Sequence, residues 1–578
     1  MPISDGSGET LVKASVPIQQ TRRGGALAFS PVHNLDHILG VAMAIRVWTN
    51  RRVKYLAVLL AAMMLQWLLV LPGFSAERIF VSFGAVEYSV ALTNLETFAR
   101  TGELPNELRT LGRFLTDEQL EQLRTGLTLS ANIDVVTVSQ FLYSSQGEAA
   151  LQLLGELVQT AGRQNGALAI RAALILAAAD GEGQFNALNI LNRFPTEGAR
   201  VDLQRLSTVA RAALTELNET QAAVAQIQQQ AAATLVGDLD GAAAAVQLTD
   251  PGPNRWQLES LNQLTLPTDL YLPDGQNAPL IVISHGLGGN RATLAYLAQH
   301  LASYGFAVAV VEHPGSSAAQ LEALLSGQTD DVIEPEEMIR RVTAIQTLLD
   351  ELETVAQDPA IGNRVNLQQV GVLGQSLGGY TALALAGATV QSASLEPVCP
   401  VQTATSSPLN LSLLLQCAVL DLPQPLPPLA DQRIQAAIAI NPLDSAVFGP
   451  VGMAAIAVPT MMVSGSADTV TPALTEQIRP FTWLDVAERY FLLMENGTHF
   501  STIYEPVASE DTIPLPSGLI GPTPEAAQRY LQAMSVAFFK THLAGEETYR
   551  AYLHQAAVQP LSQAALPLSL VQEFTLED

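Results

Sequence analysis

From about residue 251 onward, short β-branched apolar runs alternate with stretches whose apolar positions recur at helical spacing. APLIVISHG (278–286), FAVAVVEH (306–313), QQVGVLGQS (368–376), IQAAIAINP (434–442), PTMMVSGSAD (459–468) and RYFLLMENGTH (489–499) read as strands running into polar or glycine-rich turns. Between them, LAYLAQHLASYG (294–305) and EEMIRRVTAIQTLLDELETVA (336–356) read as helices. TPEAAQRYLQAMSVAFFKTHLAG (523–545) is a long closing helix, with proline at its first turn and glycine at its end. Strand and helix in turn predict an α/β domain over residues 251–560, a mostly parallel sheet with helices on both faces. Residues 561–578 read as a C-terminal tail.

Upstream the texture differs. RIFVSFGAVEYSVAL (78–92) alternates as a hairpin would, and helix starts follow. TNLETF (93–98) and TDEQLEQL (116–123) each place an acidic or amide residue three after a threonine, a pattern that satisfies orphan helix donors. SSQGEAALQLLGELVQTAG (144–162) and ALAIRAALILAAA (167–179) have helical spacing. These predict a mainly helical domain over 77–215, with no histidine, cysteine or phosphate-binding loop to give it chemistry. TQAAVAQIQQQAAATLV (220–236) reads as a connecting helix within a linker, 216–250, and GDLDG (237–241) as a turn, because the further ligands of a calcium loop are missing.

Charge changes the reading of the start. The 578 residues carry a net charge of −26, yet residues 1–76 carry +4, leaving −30 on the remainder. So acidic a body excludes a nucleic-acid backbone as partner. YLAVLLAAMMLQWLLVLPGFSA (55–76) has no charge and follows Arg46, Arg51, Arg52 and Lys54. That is the pattern of an export signal ending near Ala76 or, uncleaved, of a membrane anchor with its basic flank inside. Residues 1–54 read as a basic, disordered leader, and Met43 is where a conventional signal would begin. The expected location is therefore outside the cytoplasm: periplasm, cell envelope or medium. In that setting Cys399 and Cys417 are permitted to form a disulfide, the alternative being two unrelated buried thiols.

The chemistry centres on Gly374-Gln375-Ser376-Leu377-Gly378. G-x-S-x-G between a strand and a helix is the turn that lifts a serine hydroxyl above a sheet, and its close neighbours must be glycine. A serine needs a base, and the base an orienting carboxylate, in the chain order Ser, acid, His. Of the histidines after Ser376, His542 and His554 lie in or beyond the closing helix, whereas His499 sits in a loop just after a strand. His499 is the candidate base. Asp468, at the end of PTMMVSGSAD, is the favoured acid, and Asp444, one strand earlier in IAINPLD, is the alternative. Candidate oxyanion donors are the N–H groups of Leu377 and of Leu287 in SHGLGGN, where His285 is expected to hold the loop's shape. No cofactor or metal is needed for this chemistry.

SHGLGGNRATLAYLAQHLASYGFAVAVVEHPGS (284–316), together with GQSLGGY, resembles the α/β-hydrolases, particularly the platelet-activating-factor acetylhydrolase and dienelactone-hydrolase-like esterases, over residues 265–545. VPTMMVSGSADTVTP and NGTHF resemble the acid and histidine loops of bacterial lipases and cutinase-like polyester hydrolases, which implies Asp468. The acetylhydrolase resemblance implies Asp444 instead. The leader and the segment after it resemble an uncharacterised domain that precedes such hydrolases in exported cyanobacterial proteins. One departure is an insertion at 391–432, proline-rich and bracketing LNLSLLLQCAVL with the two cysteines, which reads either as a lid over an apolar acyl pocket or as a surface excursion.

Together these imply a serine hydrolase of carboxylic esters, with a small-molecule or lipid-like ester, acetyl-phospholipid-like esters included, as substrate. Membrane association through 55–76 and a protein partner of the helical domain are further expectations. The rival readings are an acyltransferase or peptidase on the same residues, and a non-catalytic envelope interaction protein.

Overall fold

The computed structural model describes residues 75–576, apart from Ala85, Phe114, 182–184, 236–244, 356–360, 400–409 and 504–516. The basic leader, nearly all of the apolar segment 55–76 and the 237–241 turn thus lie outside the described residues. Among those described, no helix is long and apolar enough to cross a membrane.

The hairpin expected at 78–92 forms as β1 (Arg78–Phe83) and β2 (Val86–Ala91), paired antiparallel. The helix after it, α1 (Leu92–Thr101), begins one residue before Thr93, so that threonine is not its cap. The Ala91 N–H instead donates to the Glu107 carboxylate at 3.0 Å. At α2 (Asp117–Thr128) the expected box is present: Thr116 accepts from the Gln119 N–H while Gln119 reaches back to the Thr116 N–H. α3 (Val135–Tyr143) and α4 (Ser145–Leu157) follow, the latter capped by Ser144. The helix read through 162 stops short, because β3 (Val158–Thr160) leaves it to pair with a later strand. α5 (Ala167–Ala179) matches its apolar run end to end. β4 (Gly198–Asp202) lies between β1 and β3, completing a sheet of order β2-β1-β4-β3. The described elements of 77–215 are mostly helices, with a small mixed sheet among them that the sequence reading did not foresee beyond its first hairpin.

The expected boundary at 215–216 falls inside one helix. α6 (Leu203–Thr234) runs unbroken from an Asp202 cap that accepts from the Gln204 and Arg205 N–H groups. Its Gln/Ala-rich half is not a loose linker: Ala223, Ile227 and Ala231, at four-residue spacing, are buried in the main core.

That core surrounds nine strands. β5 (Trp256–Leu261), β6 (Thr268–Pro273), β7 (Ala278–Ser284), β8 (Ala307–Val311), β9 (Val365–Gln375), β10 (Ile434–Ile440), β11 (Thr460–Gly465), β12 (Arg489–Met494) and β13 (Leu568–Val571) order as β13-β12-β11-β10-β9-β7-β8-β6-β5. The centre, from β8 to β12, is parallel, and both edges are antiparallel. β13 lies within the expected tail, which is thus an edge strand paired to β12. Alternation along each strand divides its side chains between two apolar layers. In β7, Leu280 and Val282 face one layer and Ile281 and Ile283 the other. α7 (Ala295–Ser303) and α11 (Pro524–His542) cover the second layer. α9 (Glu337–Val355) and α10 (Leu377–Leu385) cover the first, after the short α8 (Ala318–Leu325).

The insertion 391–432 is pinned where it is described. Cys399 and Cys417 are disulfide-bonded with Cα atoms 5.8 Å apart. Leu413, Val419 and Leu422 are buried in the core. Glu476, fully buried, accepts from Gln416 Nε2 at 3.0 Å and from Asn410 Nδ2.

Candidate active site

β9 ends and α10 begins around Ser376, whose backbone is held at φ 57°, ψ −120°, in the left-handed half of conformational space that a side chain rarely adopts. Its N–H donates to the Ile440 carbonyl at 2.8 Å. Both flanking glycines are required by space. A Cβ at Gly374 would stand 2.0 Å from the Gly378 carbonyl oxygen, and one at Gly378 2.0 Å from that of Ser284. Parallel strands with their C-terminal ends together bring the loops after β7, β11 and β12 to this turn, as the general rule for such sheets requires.

Three side chains from far-apart loops meet there. His499 Nε2 lies 2.9 Å from Ser376 Oγ, and His499 Nδ1 lies 2.7 Å from Asp468 Oδ2. The Asp468 carboxylate also accepts from the Val470 and Thr471 N–H groups, both at 2.8 Å, and from Thr471 Oγ1 at 2.9 Å. With its proton on Nδ1, His499 is the fourth donor to this buried carboxylate. Nε2 then faces the serine as an acceptor. Gln375 Nε2 donates to the His499 carbonyl at 3.2 Å and ties the histidine loop to the strand before the serine.

Asp444 is not part of this series. It is fully buried and neither carboxyl oxygen has a hydrogen-bond partner. Burial, reinforced by the neighbouring Glu476, pushes its carboxyl well above the usual carboxylate range. Glu476 itself accepts the Asp444 N–H at 2.8 Å.

The loop after β7 lies against the serine: a Cβ at Gly286 would stand 3.1 Å from Ser376 Cβ. Leu287 follows immediately, while the next two N–H groups, of Gly288 and Gly289, donate to the carbonyls of Ser316 and Gly286. Leu377 is the first residue of α10, where helical N–H groups lack an intrahelical acceptor. His285 takes the shaping role expected of it. Its Nε2 accepts the His313 N–H at 3.0 Å and its Nδ1 donates to the Gly286 carbonyl at 2.7 Å. Burial, with Arg341 nearby, pushes this imidazole down to about 3, so it is neutral.

Three contributors escaped the sequence reading. Thr471 and Gln375 are neighbours of recognised residues whose side-chain direction no spacing reveals. Arg341 had a signal, since it shares the helical face of Met338, Val342 and Ile345, which is buried. Beside the segment after β8 lies a cleft of about 450 Å³, lined in part by His313, Glu334, Glu337, Arg340 and Arg341. Ser376, Asp468 and His499 do not line it, so it is separate from this site.

Residues 261–369 match the family model described as platelet-activating factor acetylhydrolase, isoform II. The chain resembles the α/β-hydrolases. Residues 75–202, which span β1 to β4, match a second model, described as an α/β hydrolase of unknown function. A platelet-activating factor acetylhydrolase of Cavia porcellus is 50% identical over 48 residues, 8% of this chain and 11% of that protein. The chain thus spans about a tenth of that relative's length in the match. That family match ends before Ser376, so Ser376, Asp468 and His499 rest on their sequence motifs and on geometry.

Proposed function

We propose that this chain is a serine hydrolase of carboxylic esters. Ser376 Oγ attacks the ester carbonyl as His499 Nε2 takes its proton, and Asp468 holds the resulting imidazolium. The carbonyl oxygen, negative in the tetrahedral intermediate, is held by the Leu287 and Leu377 N–H groups. The carbon–oxygen bond to the alcohol breaks, His499 returns the proton to the leaving oxygen, and an acyl-Ser376 ester remains. Water, deprotonated by His499, attacks that ester and releases the acid and the serine. The observation that carries this reading is the hydrogen-bonded series from Ser376 through His499 to Asp468 at a strained strand-to-helix turn.

The substrate class is a lipid-like or acetyl-phospholipid-like ester. Support comes from the acetylhydrolase match and from the apolar Leu411 and Leu420, which the insertion leaves exposed. The place of action is outside the cytoplasm, through residues 55–76.

The test is turnover of nitrophenyl esters of increasing acyl length by wild type and Ser376→Ala. A rate loss on the order of 10⁴ to 10⁶ supports the reading, and an optimum at acetyl or at longer chains selects between the two substrate kinds. Equal inertness of two folded proteins on every ester contradicts it.

A further inference from the structure

Arg341 is fully buried, yet among its hydrogen-bond acceptors there is no carboxylate. Its Nη2 donates to the His285 carbonyl and, at 3.1 Å, to Ser284 Oγ. Its Nη1 donates to Ser316 Oγ at 2.5 Å and its Nε to Thr381 Oγ1 at 3.2 Å. Glu337, the nearest acid in this network, is reached only through Ser316 Oγ, at 2.6 Å, and is already paired to Arg340 at 2.8 Å. Both imidazoles beside Arg341, His285 and His313, are held neutral by burial and by the guanidinium itself. An arginine so placed is a poor device for stability, because a well-packed apolar residue would avoid the cost of its desolvation. Its contacts suggest what it does instead.

The acceptors lie on, or are bonded to, the segments that carry the two oxyanion donors. His285 stands two residues before Leu287. Ser316 accepts the Gly288 N–H on its carbonyl at 2.8 Å, which fixes the residue after Leu287. Thr381 donates to the Leu377 carbonyl at 2.9 Å, which fixes the first turn of α10. One rigid, planar fork therefore ties together the segments that present the two amides, and a flexible point charge could not make all four bonds.

We infer that Arg341 is a positioning residue that holds the Leu287 and Leu377 N–H groups at the spacing an oxyanion requires, an assignment that rests on the esterase reading of Ser376. The role is exerted in the transition state, because the ground-state carbonyl oxygen lies elsewhere than the tetrahedral one.

The test uses the full chain with Arg341→Met, which matches the length without the charge, and Arg341→Lys, which keeps the charge without the fork. Each is measured for kcat and KM on a nitrophenyl ester, and for the inhibition constant of an alkyl boronic acid, which forms a tetrahedral adduct on a reactive serine. The expected result for Arg341→Met is a fall in kcat of roughly 10²- to 10³-fold, KM within about threefold, and boronate binding weakened in proportion to kcat/KM. Arg341→Lys should recover only part of the rate. Should Arg341→Met not fold, Arg341→Lys decides: a folded lysine variant with wild-type kcat and boronate affinity overturns the assignment. So does a loss confined to KM, or a fall in kcat with boronate binding unchanged. A wild type that neither turns over esters nor binds the boronate overturns the esterase reading, and with it this role. An active wild type with equally active variants overturns the role of Arg341 alone.

Discussion

Asp468 accepts the Nδ1–H of His499 at 2.7 Å, while Asp444, the other carboxylate in reach of the sequence argument, meets no hydrogen-bond partner with either oxygen. The two acids end neighbouring strands and look alike in the sequence. Their environments separate them: the Asp468 carboxylate accepts from Thr471 Oγ1 and two backbone amides, whereas burial beside Glu476 pushes the Asp444 carboxyl well above the usual carboxylate range.

Asp468→Asn should therefore lower kcat by about 10⁴, the loss seen when the acid of such a series is made neutral and the wrong imidazole tautomer is favoured. Asp444→Asn should leave kcat within about threefold. Steady-state kinetics on one ester, with circular dichroism to confirm folding, checks both. A reversal of the two effects would assign the role to Asp444.

Asp444 also predicts a pH dependence of stability. Its folded pKa is raised, so the unfolded chain releases this proton above about 4 while the native state keeps it. The stability it contributes is complete below that pH and declines as pH rises toward the folded value. Asp444→Asn should remove this slope, so that the variant gains on wild type in thermal midpoint between about pH 4 and 7. Parallel curves would show that the Asp444 carboxyl is ionised in the native protein.

His285 and His313 act in the opposite sense. Both are buried and held neutral, His285 down to about 3 and His313 well below the ordinary value. Below about 6.5 the unfolded chain takes up two protons that the native state refuses. Stability present above that pH is lost as pH falls toward 3. Denaturant midpoints at pH 7 and 4.5 should differ more in wild type than in His313→Gln.

Gln146 of α4 clasps the α/β body with both ends of its amide, donating to the Ile333 carbonyl at 3.1 Å and accepting the Val332 N–H at 3.2 Å. Gln146→Leu leaves two buried backbone groups unpaired and should cost about 2 to 4 kcal/mol. Hydrogen exchange should rise first at residues 330–334 and along α4. Unchanged exchange there would mean that the clasp is not what joins the two regions.

Much of the fold was legible because parallel central strands are buried on both faces and read as unbroken apolar runs ending in turns. Ser376 was legible because Gly374 and Gly378 can be no other residue in that turn. The short strands β3, β4 and β13 were not, since three to five residues carry too few repeats to show a period of two. The α6 boundary was misread because glutamine and alanine suggest a linker, although Ala223, Ile227 and Ala231 already marked a buried stripe. Arg341 was hidden by a sound prior, that a charge within a helix faces water. Asp468 was favoured over Asp444 from the strand and polar turn that carry it, whereas the side chain of Thr471 returns to Asp468 across a turn that no spacing encodes.

The most direct measurement is the intact mass of the protein after reaction with a fluorophosphonate, followed by mapping of the modified peptide, with Ser376→Ala alongside. The expected result is a single adduct on Ser376, complete in wild type, absent in Ser376→Ala and greatly slowed in Asp468→Asn. A folded wild type that takes up no label, or takes it at another residue, would contradict the account at its centre.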